Sequence, residues 1–396
     1  MTNYDKKYYS DLWNSIDFEK AQDSLDNFQE RLAIASKEKN WNKVKHLQQF
    51  ITDSIEIRCL VVKNVIQDSG RRPGVDGILW ISDSDKAKGA CSLTTHDYKA
   101  QPFRRVVIQD KNKTKERHIG IPTIKDRCMI SIYSLALDPI AESAADKKSF
   151  AFRKGRSALD AHSFICDSIS YPDSPEWILI ADVKSCYESI SHEWIMNNIP
   201  MNKKVLHSFI KAGFIFGKEL FPTEHGISLG MSISPIIANM SLDGLQKVIF
   251  DLHFDQFNID YSNGNFIRYA DDIFVTSRTK EFAIKIKSAI EKFLSVRGMK
   301  LSEKKTRIVN VSQGFNFLSR HYCKRDGIFY DNLKDFILNK GKQISQRSLI
   351  KGINPKLHGW AAYHRVEQSH DVFRHIDCIV SSLLLKLMKE IFPLKI

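Results

Sequence analysis

Asn265-Phe266-Ile267-Arg268-Tyr269-Ala270-Asp271-Asp272-Ile273-Phe274-Val275-Thr276-Ser277 decides how this chain is read. Apolar and β-branched residues flank a four-residue centre, a pattern that predicts two strands joined by a tight turn with both aspartates at its tip. Adjacent carboxylates on a turn repel each other unless a cation lies between them, and their hard oxygens suit Mg²⁺. Alone, such a pair is also an ordinary solvated turn, so the rest of the chain has to decide.

Upstream, Trp177-Ile178-Leu179-Ile180-Ala181-Asp182-Val183 reads as a buried strand that ends in an acid. A carboxylate there, on a neighbouring strand, would complete a metal site with Asp271, and the Val183 carbonyl could add a ligand. The competing reading of Asp182 is a helix N-cap after a strand.

The chain has 396 residues, enough for a large core divided into two or three subdomains. It carries 59 Lys+Arg against 46 Asp+Glu, a net charge of +13, an excess that attracts phosphate backbones. A basic soluble protein with a charged surface would show the same balance. Seven scattered cysteines, with no Cys-x-x-Cys pair, speak against a zinc knuckle or a disulfide framework and fit a reducing cytoplasm. The polar N-terminus and the lack of a long apolar run predict neither a signal peptide nor a membrane span.

Helical periodicity runs from Asp17 to about Asp68, followed by a turn-rich break from Gly70 to Gly77. A basic segment holds a β-like Arg105-Val106-Val107-Ile108, a charged turn from Asp110 to Glu116, and Arg117-His118-Ile119-Gly120-Ile121-Pro122. Further helices are expected over Asp126–Ala145, Ala158–Ser168 and Lys280–Arg297, the last ended by Gly298, and the chain beyond about Asp331 reads as helical and basic. Strands and helices mix without regular alternation, which suggests an α+β fold.

Several segments, in order, resemble the bacterial group II intron-type reverse transcriptases. They are Gly74-Val75-Asp76-Gly77, Arg117 to Arg127, Ser149 to Ala158, Ala181-Asp182-Val183-Lys184-Ser185-Cys186-Tyr187 and Ser234-Pro235-Ile236-Ile237-Ala238-Asn239. Arg268 to Asp272, Leu301 to Thr306, Gly314 to Leu318 and Asn354 to Tyr363 continue the series. The resemblance covers about residue 10 to about residue 375. It implies a right-hand polymerase: an N-terminal helical extension (1–77), fingers and an antiparallel-sheet palm (78–320), and a helical, maturase-like thumb (321–396).

The same resemblance implies roles. Asp182, Asp271 and Asp272 would bind two Mg²⁺ ions, with Mn²⁺ as an alternative, and two-metal chemistry would add dNTPs to a 3′-hydroxyl. Tyr187, five residues after Asp182, matches the aromatic that excludes a 2′-hydroxyl; a packed ring at a strand-to-helix junction is its alternative. Arg117, helped by Lys115, matches the arginine that grips the triphosphate through paired hydrogen bonds. Lys305 matches the lysine that approaches the leaving pyrophosphate and could act as a general acid; an exposed lysine among several is its alternative. Phe315 and Phe317 would sit in the primer grip, and Arg153, Lys154 and Arg156 would hold a nucleic-acid backbone.

In place of the family's Gly-x-Pro-Gln-Gly, this chain has Gly226-Ile227-Ser228-Leu229-Gly230. Leu229 cannot hydrogen-bond where a glutamine would touch the nucleotide, which suggests a specialised polymerase. No nuclease-like motif is seen before Ile396, which suggests a domesticated, antiviral-defence enzyme with an associated non-coding RNA. An RNA-binding maturase, and untemplated or protein-primed synthesis, are the alternatives. Expected partners are an RNA template, a DNA primer or product and dNTPs, with a homo-oligomer or second subunit left open and no membrane.

Overall fold

The computed structural model describes residues 3–69, 72–109, 116–169, 174–257, 266–318, 320–322, 333–364 and 370–391. The helices in chain order are α1 (Asn3–Ser15), α2 (Phe18–Lys37), α3 (Trp41–Asp53), α4 (Ile55–Ser69), α5 (Asp83–Cys91), α6 (Ile124–Ala144) and α7 (Ala158–Ile169). They continue with α8 (Cys186–Ser189), α9 (His192–Asn198), α10 (Lys203–Ile210), α11 (Ser234–Leu242), α12 (Leu245–Phe257), α13 (Lys280–Ser295), α14 (Gln346–His364) and α15 (His370–Ile391). The strands are β1 (Phe103–Gln109), β2 (Glu116–Ile121), β3 (Trp177–Asp182), β4 (Phe214–Phe216) and β5 (Glu219–Phe221). After them come β6 (Phe266–Tyr269), β7 (Asp272–Ser277), β8 (Arg307–Asn310), β9 (Phe315–Phe317) and β10 (Arg320–Tyr322).

The chain divides into two compact units that interleave in sequence: 1–145 with 184–244 and 294–299, and 146–183 with 245–293 and 300–396. These units cut across the expected 1–77, 78–320 and 321–396 partition. The first unit groups the N-terminal helices with β1, β2, β4 and β5.

In the first unit, the helical stretch expected from Asp17 to Asp68 resolves into three helices. Asp17 caps α2 by accepting from Lys20 N, and Asn40 caps α3 by accepting from Lys43 N. Leu25, Leu32, Val44, Leu47, Ile51 and Ile57 are buried where α2, α3 and α4 pack on α6. Pro139 inside α6 has no N–H, so the Leu135 carbonyl four residues earlier loses its helical donor. Gln29 Nε2 on α2 donates to that carbonyl at 2.8 Å, turning a helix defect into a tie between helices. A mixed sheet in the order β2-β1-β4-β5 completes the unit. The charged turn at 110–115, with Lys115, lies outside the described residues.

The second unit is built on an antiparallel sheet in the order β6-β7-β3-β8. Ile178, Leu179, Phe274, Val275 and Phe266 are buried in it, and α7 lies against β6. The β9–β10 hairpin adds Phe315, Phe317 and Tyr322, whose rings cluster with Phe274. Buried Ile376, Ile379, Leu383 and Leu387 recur at helical spacing along α15 and join the same core as Leu349, Ile353 and Trp360 of α14. Basic, helical sequence after residue 331 therefore forms an amphipathic layer with its own apolar stripe. Among the described residues, no helix is long and apolar enough to cross a membrane.

Candidate active site

Strand register sets the acids. β6 and β7 pair antiparallel with Tyr269 opposite Asp272, leaving Ala270 and Asp271 as a two-residue turn. Ala270 has φ +56°, a left-handed conformation uncommon outside glycine and asparagine, which lets the chain reverse in so few residues. β3 then pairs with β7 from Trp177 opposite Ser277 to Asp182 opposite Asp272. Side chains alternate along a strand but directly opposed residues share a face, so the register alone places Asp182 and Asp272 on one face.

Backbone bonds extend the edge. Val183 N donates to Asp271 O at 3.1 Å, Ser302 N donates to Asp182 O at 2.7 Å, and Val183 bridges Leu301. Asp182 is buried, and Lys305 Nζ lies 2.5 Å from its Oδ2. Burial pushes Asp272 up to about 6, with the Asp271 and Asp182 charges adding to it. Asp271 is also raised, chiefly by burial, while the hydrogen bond to Asp182 raises Lys305. Three carboxylates on one edge are a donor set suited to a hard dication. Among the described residues, however, no three His, Cys, Asp or Glu side chains stand close enough together to enclose a metal. Asp182 faces a lysine instead.

Arg268, not among the residues expected at the site, supports the turn. Its side chain is fully buried, and Nη1 donates to Ala270 O at 3.4 Å. Its backbone N donates to Lys148 O and its carbonyl accepts from Phe150 N, joining β6 to the segment that precedes α7. A charged residue at an inward position of an otherwise apolar strand was the signal available in sequence.

That neighbouring segment carries the cations expected to hold a nucleic-acid backbone. Arg153 Nη1 donates to the carbonyls of Asp146 and Ser149 at 2.7 and 2.8 Å, and Arg156 Nη1 to those of Lys147 and Ser149 at 2.7 and 3.2 Å. Through Nη1, both guanidiniums brace the loop beside β6; Lys154 between them is exposed. On β9, the rings of Phe315 and Phe317 are buried in the core and Asn316 between them is exposed.

In the first unit, the Gly226–Gly230 loop ties together two further expected segments. Gly226 N donates to Ile190 O and Ile227 N to Tyr187 O, at 2.8 and 2.7 Å. Gly120 N on β2 donates to Leu229 O at 2.9 Å. Gly230 has φ +114°, and a Cβ there would lie 2.5 Å from the Gly120 carbonyl, so glycine is required on both counts. The loop thus links the Tyr187 segment to β2, the strand on which Arg117 pairs with Ile108. Tyr187 and Leu229 are both half-buried, and Gly230 is exposed.

An antiparallel sheet with acids at the turn of one hairpin and at the end of the adjoining strand is the palm of a right-hand polymerase. The chain belongs to the reverse transcriptase (RNA-dependent DNA polymerase) family, which it matches over residues 108–322. Residues 13–93 match the N-terminal domain of reverse transcriptase, and 328–395 the group II intron maturase-specific domain. The group II intron-encoded protein LtrA of Lactococcus lactis subsp. cremoris is 30% identical over 167 residues, 41% of this chain and 27% of LtrA. The chain thus matches about a quarter of that relative's length. Maturase-like protein 1 of Euglena gracilis is 23% identical over 380 residues, covering 90% of this chain and 77% of that protein. Among solved structures, telomerase from Candida albicans aligns with a TM-score of 0.44 at 13% identity, over 84% of this chain and 63% of that one. The family is one of divalent-metal-dependent polymerases.

Proposed function

We propose that this protein is an RNA-directed DNA polymerase that adds dNTPs to a primer 3′-hydroxyl at the Asp182, Asp271 and Asp272 edge. The observation that carries the reading is the β3–β7 register, which sets Asp182 opposite Asp272 and leaves Asp271 in the adjoining turn. Asp182, Asp271, Asp272 and the Val183 carbonyl would hold two Mg²⁺ ions, or Mn²⁺ in their place. When bound, the ions would favour the deprotonated 3′-hydroxyl and offset charge on the pyrophosphate.

The chain's own residues do the rest. The paired strands fix where the carboxylates stand, so little has to reorganise during reaction. Lys305 would give a proton to the leaving pyrophosphate. Arg117 and Lys115 would hold the triphosphate, and Tyr187 would exclude a 2′-hydroxyl. Leu229 offers only apolar contact beside the nucleotide, which supports copying of a short or fixed template over general copying. Such a template would be a structured RNA bound through Lys154 and other exposed cations, with antiviral defence as the biological setting. The test is primer extension on an RNA template with all four dNTPs and Mg²⁺, comparing the wild type with Asp182→Asn; equal extension by both would reject the assignment.

A second reading is an RNA-binding maturase that does not polymerise, favoured by the match of residues 328–395 to the maturase-specific domain. Efficient splicing of a bound intron by the same Asp182→Asn variant, with no synthesis by the wild type, would favour it. Untemplated or protein-primed synthesis is distinguished by the sequence of the product.

A further inference from the structure

The buried Asp182 carboxylate already has a cation. Its side chain is 8% exposed and receives Lys305 Nζ at 2.5 Å, whereas the lysine side chain is 59% exposed. The turn that carries the lysine is anchored to the same aspartate's backbone: Ser302 N donates to Asp182 O at 2.7 Å, and Thr306 N returns to Ser302 O at 2.8 Å. Leu301 bridges Val183 on the strand itself. The ammonium is thus delivered to the carboxylate by local backbone pairing, on a long stem that solvent leaves free to rotate away.

A buried carboxylate with no counter-ion is costly, and a lysine in hydrogen-bonding contact relieves that cost. An ammonium and a dication cannot both sit on the same carboxylate edge without strong mutual repulsion. We propose that Lys305 is the built-in counter-ion of Asp182 and is displaced when the acids take up a divalent cation, so that metal loading and lysine release are a single exchange. The inference rests on the polymerase reading and adds an order of events to it. Lys305 becomes available to a leaving group only once the site is loaded, and an unloaded site keeps its acid ordered.

Titration of the full chain with Mn²⁺ alone, without nucleic acid or dNTP, tests this through the paramagnetic resonance signal of free Mn²⁺. Lys305→Met and Lys305→Gln should each tighten the Mn²⁺ dissociation constant by about three- to fivefold, the worth of a partly exposed ion pair. Lys304→Met removes the same charge from the adjacent exposed position and should change it by less than about twofold. In an Asp182→Asn background, Lys305→Met should have no further effect. Unchanged or weaker binding in the Lys305 variants overturns the exchange, as does equal tightening in Lys304→Met. Either result, with Mn²⁺ still bound by the wild type and lost in Asp271→Asn, leaves the polymerase reading standing. No Mn²⁺ binding by any of these proteins would remove both.

Discussion

Asp182, the last residue of β3, lies directly opposite Asp272, the first residue of β7, in an unbroken antiparallel register that begins at Trp177 opposite Ser277. A slip of one residue would send one carboxylate to the far face of the sheet. Register is therefore as much a part of the site as the acids themselves, and buried Leu179, Ile180, Phe274 and Val275 hold it.

Arg268 should matter without touching substrate. The Arg268 guanidinium is buried and hydrogen-bonded, so Arg268→Met should lower the melting temperature by several degrees, and Arg268→Lys, which keeps a cation, should lower it less. The Ala270 carbonyl loses a donor and the acid-bearing turn loosens, so synthesis should fall about tenfold or more. Parallel melting and extension assays check this; full activity would remove Arg268 from the support of the turn.

Gly230→Ala should strain a backbone at φ +114° and push a methyl group against the Gly120 carbonyl. The expected result is a raised KM for dNTPs with RNA affinity nearly unchanged, because the loop links Leu229 to β2 and leaves the exposed cations alone. An unchanged KM would mean that this loop does not serve the nucleotide.

Tyr187→Ala should raise ribonucleotide incorporation relative to deoxyribonucleotide by about tenfold or more, a loss of about 1–3 kcal/mol of discrimination. Tyr187→Phe keeps the ring and should keep the preference. Equal preference in wild type and alanine variant, with reduced melting temperature, would leave the tyrosine as packing alone.

His192 gives the fold an acid-sensitive point. Nε2 donates to Gly226 O at 2.7 Å, and the buried Nδ1 has no hydrogen-bond partner among the described residues. Burial holds this histidine below its usual 6.5, with Lys211 and His225 pushing the same way and Glu224 opposing. A depressed folded value stabilises the protein above the unfolded value and is lost as pH falls through and below it. Melting temperature should therefore fall as pH drops through and below the ordinary histidine range, and His192→Asn should lessen that fall. The same fall in both proteins would place the sensitivity elsewhere.

The hairpin at Tyr269–Asp272, the strand ending at Asp182 and most helices were legible in sequence because each follows from short-range periodicity and turn chemistry. The direction of a side chain on an element was less so. Phe315 and Phe317 sit in a motif associated with a primer, yet alternation along β9 turns both rings inward. Arg153 and Arg156 are basic residues of a glycine-broken loop, and their pairing with carbonyls of their own segment is a contact that sequence does not show. The two interleaved units depend on contacts between residues far apart in sequence, which local pattern does not encode.

The most direct test of the central claim is to sequence the DNA made by the purified protein with its co-purified RNA, Mg²⁺ and all four dNTPs, beside an Asp271→Ala/Asp272→Ala variant. The account predicts a DNA product complementary to a bound RNA in the wild type, and a loss of at least about a thousandfold in the variant with RNA binding retained. Product of equal yield from both proteins would contradict it, as would no product from the wild type under any priming condition.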